Sequence, residues 1–160
     1  MRTHTLKEPR ILKVTLNMGI GKLLKDPKAL TRASEDLGRI AGQKPKIAPA
    51  KKSIASFKIR EGMPVGLFST LRGKRMEDFL KRLISIALPR TRDFRGISPS
   101  AVDRQGNLTI GIREHTVFPE ISAEHASELL GFEVTVTTNA GNREKGLLLF
   151  KSLGFPIREK

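Results

Sequence analysis

Asn17-Met18-Gly19-Ile20-Gly21-Lys22 is the one stretch whose residue types and order suggest chemistry on a phosphate. Glycine frees backbone N–H groups to cradle phosphate oxygens. The third glycine of a dinucleotide loop is missing, since Leu24 stands in its place, and Leu23 follows Lys22 where a P-loop carries Ser or Thr. What remains is a tight turn whose backbone can approach a polyanion. Other chemistries lack their parts. His4, His115 and His125 are far apart without ligand spacing, and the Glu114-His115 pair reads as surface. Asp93, Asp103, Glu114 and Glu120 fall in turns and at exposed strand edges, with nothing in their spacing to favour a metal pair. There is no Gly-x-Ser-x-Gly elbow and no cysteine, hence no disulfide and no thiolate metal site. No catalytic residue, no metal and no cofactor are expected; the chain does not read as an enzyme.

The side chains that do gather are cations. Residues 43–75 hold Lys44, Lys46, Lys51, Lys52, Lys58, Arg60, Arg72, Lys74 and Arg75 against the single acid Glu61. The net charge is +14 with a pI near 10.7, a range typical of nucleic-acid binders. It is unevenly placed: +5 over residues 1–42, +10 over 43–104 and −1 over 105–160. Like charges crowded on one fold repel, and a polyanion relieves them. There are eight Phe and no Tyr or Trp, and Phe79, Phe132 and Phe150 sit at core-like positions, which disfavours a base-stacking platform. Many cations and few free rings suit the reading of shape and backbone in a folded RNA. Asn17, Gln43, Ser53, Ser69 and Thr70 are candidates for hydrogen bonds to 2′-hydroxyls or base edges.

The elements that position these residues follow from hydrophobic period. Leu12, Val14 and Leu16 alternate with Lys13 and Thr15 as a strand, followed by a turn over 17–21. Asp26-Pro27 caps a helix with Leu30, Ala33, Leu37, Ile40 and Ala41 on one face, and Gly42 ends it. Phe57 and Ile59 alternate with Ser56, Lys58 and Arg60, which predicts a strand; a loop over 61–66 returns into a second strand over 67–71, making a long basic hairpin. Met76, Phe79, Leu80, Leu83, Ile84, Ala87 and Leu88 form a helical stripe stopped by Pro89, with Lys74, Arg75, Lys81 and Arg82 on the other face. An Arg-dense loop covers 89–96, a turn 103–107, and a strand carries Leu108, Ile110 and Ile112. A short helix over 123–130, a strand through Phe132, Val134, Val136 and Thr138, and a last helix capped by Asn142 complete the chain. The expected fold is α+β: an antiparallel or mixed sheet with helices on one face and the other face open, in one domain over 1–160. No apolar run reaches the length of a membrane span and no signal-peptide apolar region follows Met1, so a soluble intracellular protein is expected.

These pieces, in order, resemble the bacterial form of the large-subunit ribosomal protein L-five family. The matching stretches include Lys13-Val14-Thr15-Leu16-Asn17-Met18-Gly19, Gly42-Gln43-Lys44-Pro45, Ala50-Lys51-Lys52-Ser53-Ile54-Ala55 and Phe57-Lys58-Ile59-Arg60-Glu61-Gly62. Thr70-Leu71-Arg72-Gly73, Leu88-Pro89-Arg90, Arg92-Asp93-Phe94-Arg95-Gly96, Gly106-Asn107 and Phe118-Pro119-Glu120-Ile121 continue the match over essentially the whole chain. The resemblance implies a non-enzymatic constituent of the large subunit, ribosome-bound in the cytoplasm, whose sheet grips 5S rRNA in the central protuberance. It implies RNA contacts at Asn17, Gln43 and Thr70, with Lys44, Lys46, Lys51, Lys52, Ser53 and Arg72 in support. Arg60, Glu61, Gly62, Met63 and Pro64 fall in the loop that would reach the P-site tRNA. Further implied partners are 23S rRNA, a neighbouring 5S-binding ribosomal protein, and small-subunit protein S-thirteen at a bridge; no membrane is involved. Family members usually carry another helix before the first strand, so the chain resembles an N-terminally shortened member. Competing expectations are a basic DNA-architectural protein, for which no helix-turn-helix or zinc-finger spacing exists, and a metal-dependent nuclease built on Asp93 or Glu114 and His115.

Overall fold

The computed structural model describes residues 8–122 and 128–159. Strand β1 (Ile11–Gly19) buries Val14, Leu16 and Met18 on one side, as the alternation predicts. It runs further than expected: Asn17 to Gly19 stay extended because they pair with Phe68, Leu67 and Gly66, and the turn comes at Gly21–Leu23. Helix α1 (Pro27–Ala41) begins where Asp26 Oδ1 accepts the N–H groups of Lys28 (2.9 Å) and Ala29 (3.3 Å). It ends at Gly42, whose φ of 71° costs little without a Cβ and whose N–H reaches the Gly38 carbonyl. Ala33, Leu37, Ile40 and Ala41 are its buried face.

The hairpin exists, but with a different first strand. No strand forms over 56–60; the partner of β3 (Pro64–Leu71) is β2 (Lys46–Pro49), and residues 50–63 connect them. Within that connection Ala55–Phe57 is a 3₁₀ turn, Lys58 has a left-handed φ of 54°, and Ile54 bridges Ile59. The Phe57/Ile59 alternation therefore has no core beneath it, and Phe57 is 72% exposed. β2 is an edge strand, where Pro49 is tolerated because no further strand asks for its N–H.

Helix α2 (Gly73–Arg82) buries Met76, Phe79 and Leu80 and continues through a π turn (Leu83–Ala87) into α3 (Leu88–Arg90). Pro89 does not end the helix before itself. The wider turn ahead of it, with the Leu88 N–H on the Leu83 carbonyl, takes up the space the proline ring needs, and the chain turns out at Thr91. β4 (Leu108–Ile112), β5 (Phe132–Thr138) and α4 (Arg143–Ser152, capped by Asn142) lie where the periodicity puts them. Of the helix expected over 123–130, residues 123–127 lie outside the described residues and 128–130 are not helical.

All five strands form one antiparallel sheet in the order β2-β3-β1-β5-β4, so strands from both halves of the chain interleave. Leu67 and Leu71, Val14 and Leu16, Val134 and Val136, Leu108 and Ile110 face α1, α2 and α4 in one apolar cluster with Phe79, Phe118 and Phe150. The expected α+β architecture, helices on one face and the other left open, is the one observed. No helix of the described residues is long and apolar enough to cross a membrane.

The 103–107 turn is built by Asp103, which accepts the N–H groups of Gln105 and Asn107 and the Asn107 side-chain amide. Slight burial pushes its carboxyl up, but these bonds, led by the Asn107 N–H, hold it below the ordinary aspartate value. Gly106 in this turn rests directly on Gly146 of α4: a Cβ on Gly146 would lie 2.6 Å from the Gly106 Cα and 2.8 Å from its carbonyl oxygen. Gly→Ala inside a helix ordinarily stabilises by about 1 kcal/mol. Here Gly146→Ala should instead destabilise by about 2 kcal/mol, because backbone has to yield. Urea unfolding of the variant checks this, and a raised midpoint would mean α4 is not seated on the turn.

Candidate nucleic-acid interface

The open sheet face is set by register. One row across the strands runs Lys46, Phe68, Asn17, Glu133, Gly111; the next runs Thr70, Thr15, Thr135, Thr109. Opposed residues share a face, so these hydroxyls form a ladder on the side away from the helices. Asn17 lies exposed near the centre, and Lys13 opposite Thr137 adds a cation to the same face. Asn17 and Thr70, expected to act together, are thus brought onto one surface in neighbouring rows.

The cations cluster at the β2 edge. Lys44 and Lys46 are exposed beside β2, Lys51 and Lys52 stand at the start of the 50–63 loop, and Arg72 continues the outward alternation of β3 after Thr70. Among the described residues none of these five enters an ion pair. Gln43 and Ser53 are already engaged. Gln43 Nε2 donates to Ser69 Oγ and to the Thr70 carbonyl, both at 2.9 Å, while its Oε1 accepts from Arg75 at 3.2 Å. Ser53 Oγ accepts the Glu61 N–H at 2.9 Å. Ser69 is buried on the helix side, so it is not a surface hydroxyl.

The loop containing Arg60, Glu61, Gly62, Met63 and Pro64 is pinned at its base. The Ala50 N–H donates to the Met63 carbonyl, Gly62 donates to the Ala50 carbonyl, and the Met63 N–H closes a turn onto Arg60 with Gly62 at φ 84°. Lys51, Lys52, Lys58 and Arg60 surround Phe57 in the sequence of this loop. Phe57 is the most exposed large apolar side chain among the described residues; the period-2 pattern hid it by suggesting a buried face. Its position beside a left-handed Lys58 has no sequence signal short of the structure.

Of two expected surface groups, Arg82 is partly buried and His115 fully. Arg82 turns from the cationic face to bond Glu120 and, at 2.9 Å, the Ile40 carbonyl, because the C-terminal end of α1 leaves that carbonyl without a helical partner. His115 is buried: its Nδ1 accepts the Leu130 N–H at 3.2 Å and its Nε2 lies 3.3 Å from Asp36. His4 and His125 lie outside the described residues. Among the described residues no group of three or more His, Asp or Glu could hold a metal ion. Asp93 sits in its loop at φ 53°, and Glu114 is 4.0 Å from Arg92.

The family model described as ribosomal protein L5 matches residues 4–60, and the one describing the C-terminus of the same ribosomal family matches 64–157. The chain is 49% identical over 155 residues to the large ribosomal subunit protein uL5 of Colwellia psychrerythraea, covering 97% of this chain and 86% of that one. It is 49% identical over 157 residues to the protein of the same name from Desulfatibacillum aliphaticivorans, and 48% to that of a Synechococcus species. Both alignments cover 98% of this chain and 88% of the relative.

Proposed function

The chain belongs to the ribosomal protein L5 family, and from that premise we propose that it binds 5S rRNA in the central protuberance through its open sheet face. It is a structural constituent of the large ribosomal subunit and not an enzyme. The observation that carries the RNA reading is the juxtaposition of an uncovered face, bearing Asn17 and the Thr70 row, with Lys44, Lys46, Lys51, Lys52 and Arg72 at its β2 edge, none of them ion-paired among the described residues. Cations supply affinity through counter-ion release, and the fixed hydrogen-bonding groups select the fold of the RNA. Gln43 works there by holding the Thr70 carbonyl and Arg75, and Ser53 by holding Glu61. The 160 residues act as one RNA-binding domain, since one sheet is built from both halves.

The loop over 60–64, in the connection between β2 and β3, is the part we assign to the P-site tRNA, with Phe57 in the same connection able to stack on a base. 23S rRNA, a neighbouring 5S-binding ribosomal protein and small-subunit protein S-thirteen are the remaining partners of the reading, in the cytoplasm and bound to the ribosome. Asn17→Ala and Thr70→Ala should each weaken 5S rRNA about tenfold while leaving binding to unrelated transcripts of equal length unchanged. Lys51→Ala should weaken both alike. Filter binding to 5S rRNA and to such controls tests this; equal affinity of the unsubstituted chain for all of them would falsify it.

A further inference from the structure

A second group of cations gathers at the opposite edge of the sheet. Arg92 and Arg95 come from the loop after α3, Arg113 from the end of β4, and Arg158 from the C-terminal segment; with Phe94 they line a cavity of about 500 Å³. Two of the four, Arg113 and Arg158, lie in the third of the sequence whose net charge is −1, so linear charge does not reveal the cluster. The walls are tied together. The Ile97 N–H donates to the Pro156 carbonyl at 2.7 Å, the Arg158 N–H donates to the Ile97 carbonyl at 2.9 Å, and Ile97 bridges Ile157. Gly96, at φ 90°, lets Arg158 lie across the loop: a Cβ there would meet the Arg158 Cγ at 2.6 Å.

Asp93 and Glu114 also line the cavity, leaving two more guanidiniums than carboxylates. Among the described residues only Arg92 has an acid within reach, Glu114 at 4.0 Å, so Arg95, Arg113 and Arg158 are unpaired. Gly111 at its rim belongs to the open face, in the row of Asn17 and Lys46. Four strand spacings separate β4 from β2, about 19 Å. Glu133 lies between, next to Gly111, and breaks the positive surface in two.

We infer that this Arg92–Arg95–Arg113–Arg158 cavity is a second RNA-phosphate site, holding a stretch of backbone other than the one held at the β2 edge. Arginine forks bind phosphate oxygens bidentately, and the cavity has room for a length of backbone rather than a single ion. An acidic protein segment fits the same charge less well, because Gly111, which lines the cavity, lies on the same sheet face as Asn17 and Thr70. The inference rests on the RNA-binding reading above.

The test is salt-dependent binding of the full chain to 5S rRNA and to a large-subunit rRNA fragment, with backbone footprinting. Arg95→Gln/Arg113→Gln should flatten the log K against log salt slope by about 1.5 and lower affinity on the order of tenfold at about 0.15 M salt. It should erase one protected patch and leave the patch that Lys51→Ala/Lys52→Ala erases. Arg95→Lys/Arg113→Lys should restore the slope, which a merely structural role for the guanidiniums would not produce. Unchanged slope and footprint in the glutamine variant overturn the inference, as does lost binding to poly-glutamate with RNA binding intact. If the Lys51/Lys52 variant is equally silent, the RNA reading itself has failed.

Discussion

A chain in which Lys44, Lys46, Lys51 and Lys52 are all glutamine should bind folded RNA several hundredfold more weakly than the unsubstituted chain at about 0.15 M salt. Each phosphate contact contributes a slope of about −0.7 to −0.9, so four lost contacts flatten it by about 3. The same substitution should leave stability unchanged or slightly raised, because among the described residues none of the four is ion-paired and all are exposed. Removing mutually repelling charges from a surface with little acid nearby relieves repulsion in the free protein. The loss should be of similar size for 5S rRNA and for unrelated RNA, since phosphates carry no sequence. An affinity loss confined to 5S rRNA would move these lysines from electrostatic support to direct recognition. Binding and thermal melting on the same sample separate the two effects.

Where sequence was informative, one periodicity met one partner. α1 is legible because Asp26-Pro27, a five-residue apolar stripe and Gly42 agree on its start, face and end. β1, β4 and β5 are legible because each has a core on one side and an open face on the other, so alternation and burial coincide. β2 is not, because an edge strand of four residues ending in Pro49 carries almost no alternation, while the exposed Phe57-Lys58-Ile59 mimics it. At the interface, Thr70 falls in a strand that the sequence predicts, whereas Asn17 reads as turn and is held in β1 by its pairing with Phe68. Gln43 could not be placed: its amide reaches Ser69, 26 residues away, across a hairpin register that periodicity does not specify. The buried His115 and the four-arginine cavity depend on loops meeting from distant parts of the chain, which no local pattern encodes.

Arg82 shows how far such long-range pairing controls stability. In the sequence it falls with Lys74, Arg75 and Lys81 on the face away from the apolar stripe, yet it ties the end of α1, the middle of α2 and the 118–121 segment together through Ile40, Asp78 and Glu120. Glu120 Oε2 is buried without a hydrogen-bond partner, so the guanidinium is what offsets the charge of that carboxylate. Arg82→Met keeps the length of the chain but strands Glu120 and the Ile40 carbonyl. It should destabilise by about 3 kcal/mol, at the low end for a broken pair because both side chains keep about a quarter of their surface. Adding Glu120→Gln should return part of that loss, since a neutral amide costs less to leave in place than a carboxylate. Urea unfolding of the two single variants and the double variant forms the cycle that isolates the pair. Equal losses that simply add would mean Arg82 acts through its packing, and the three elements would then be held by the apolar cluster around Phe79 and Phe118 alone.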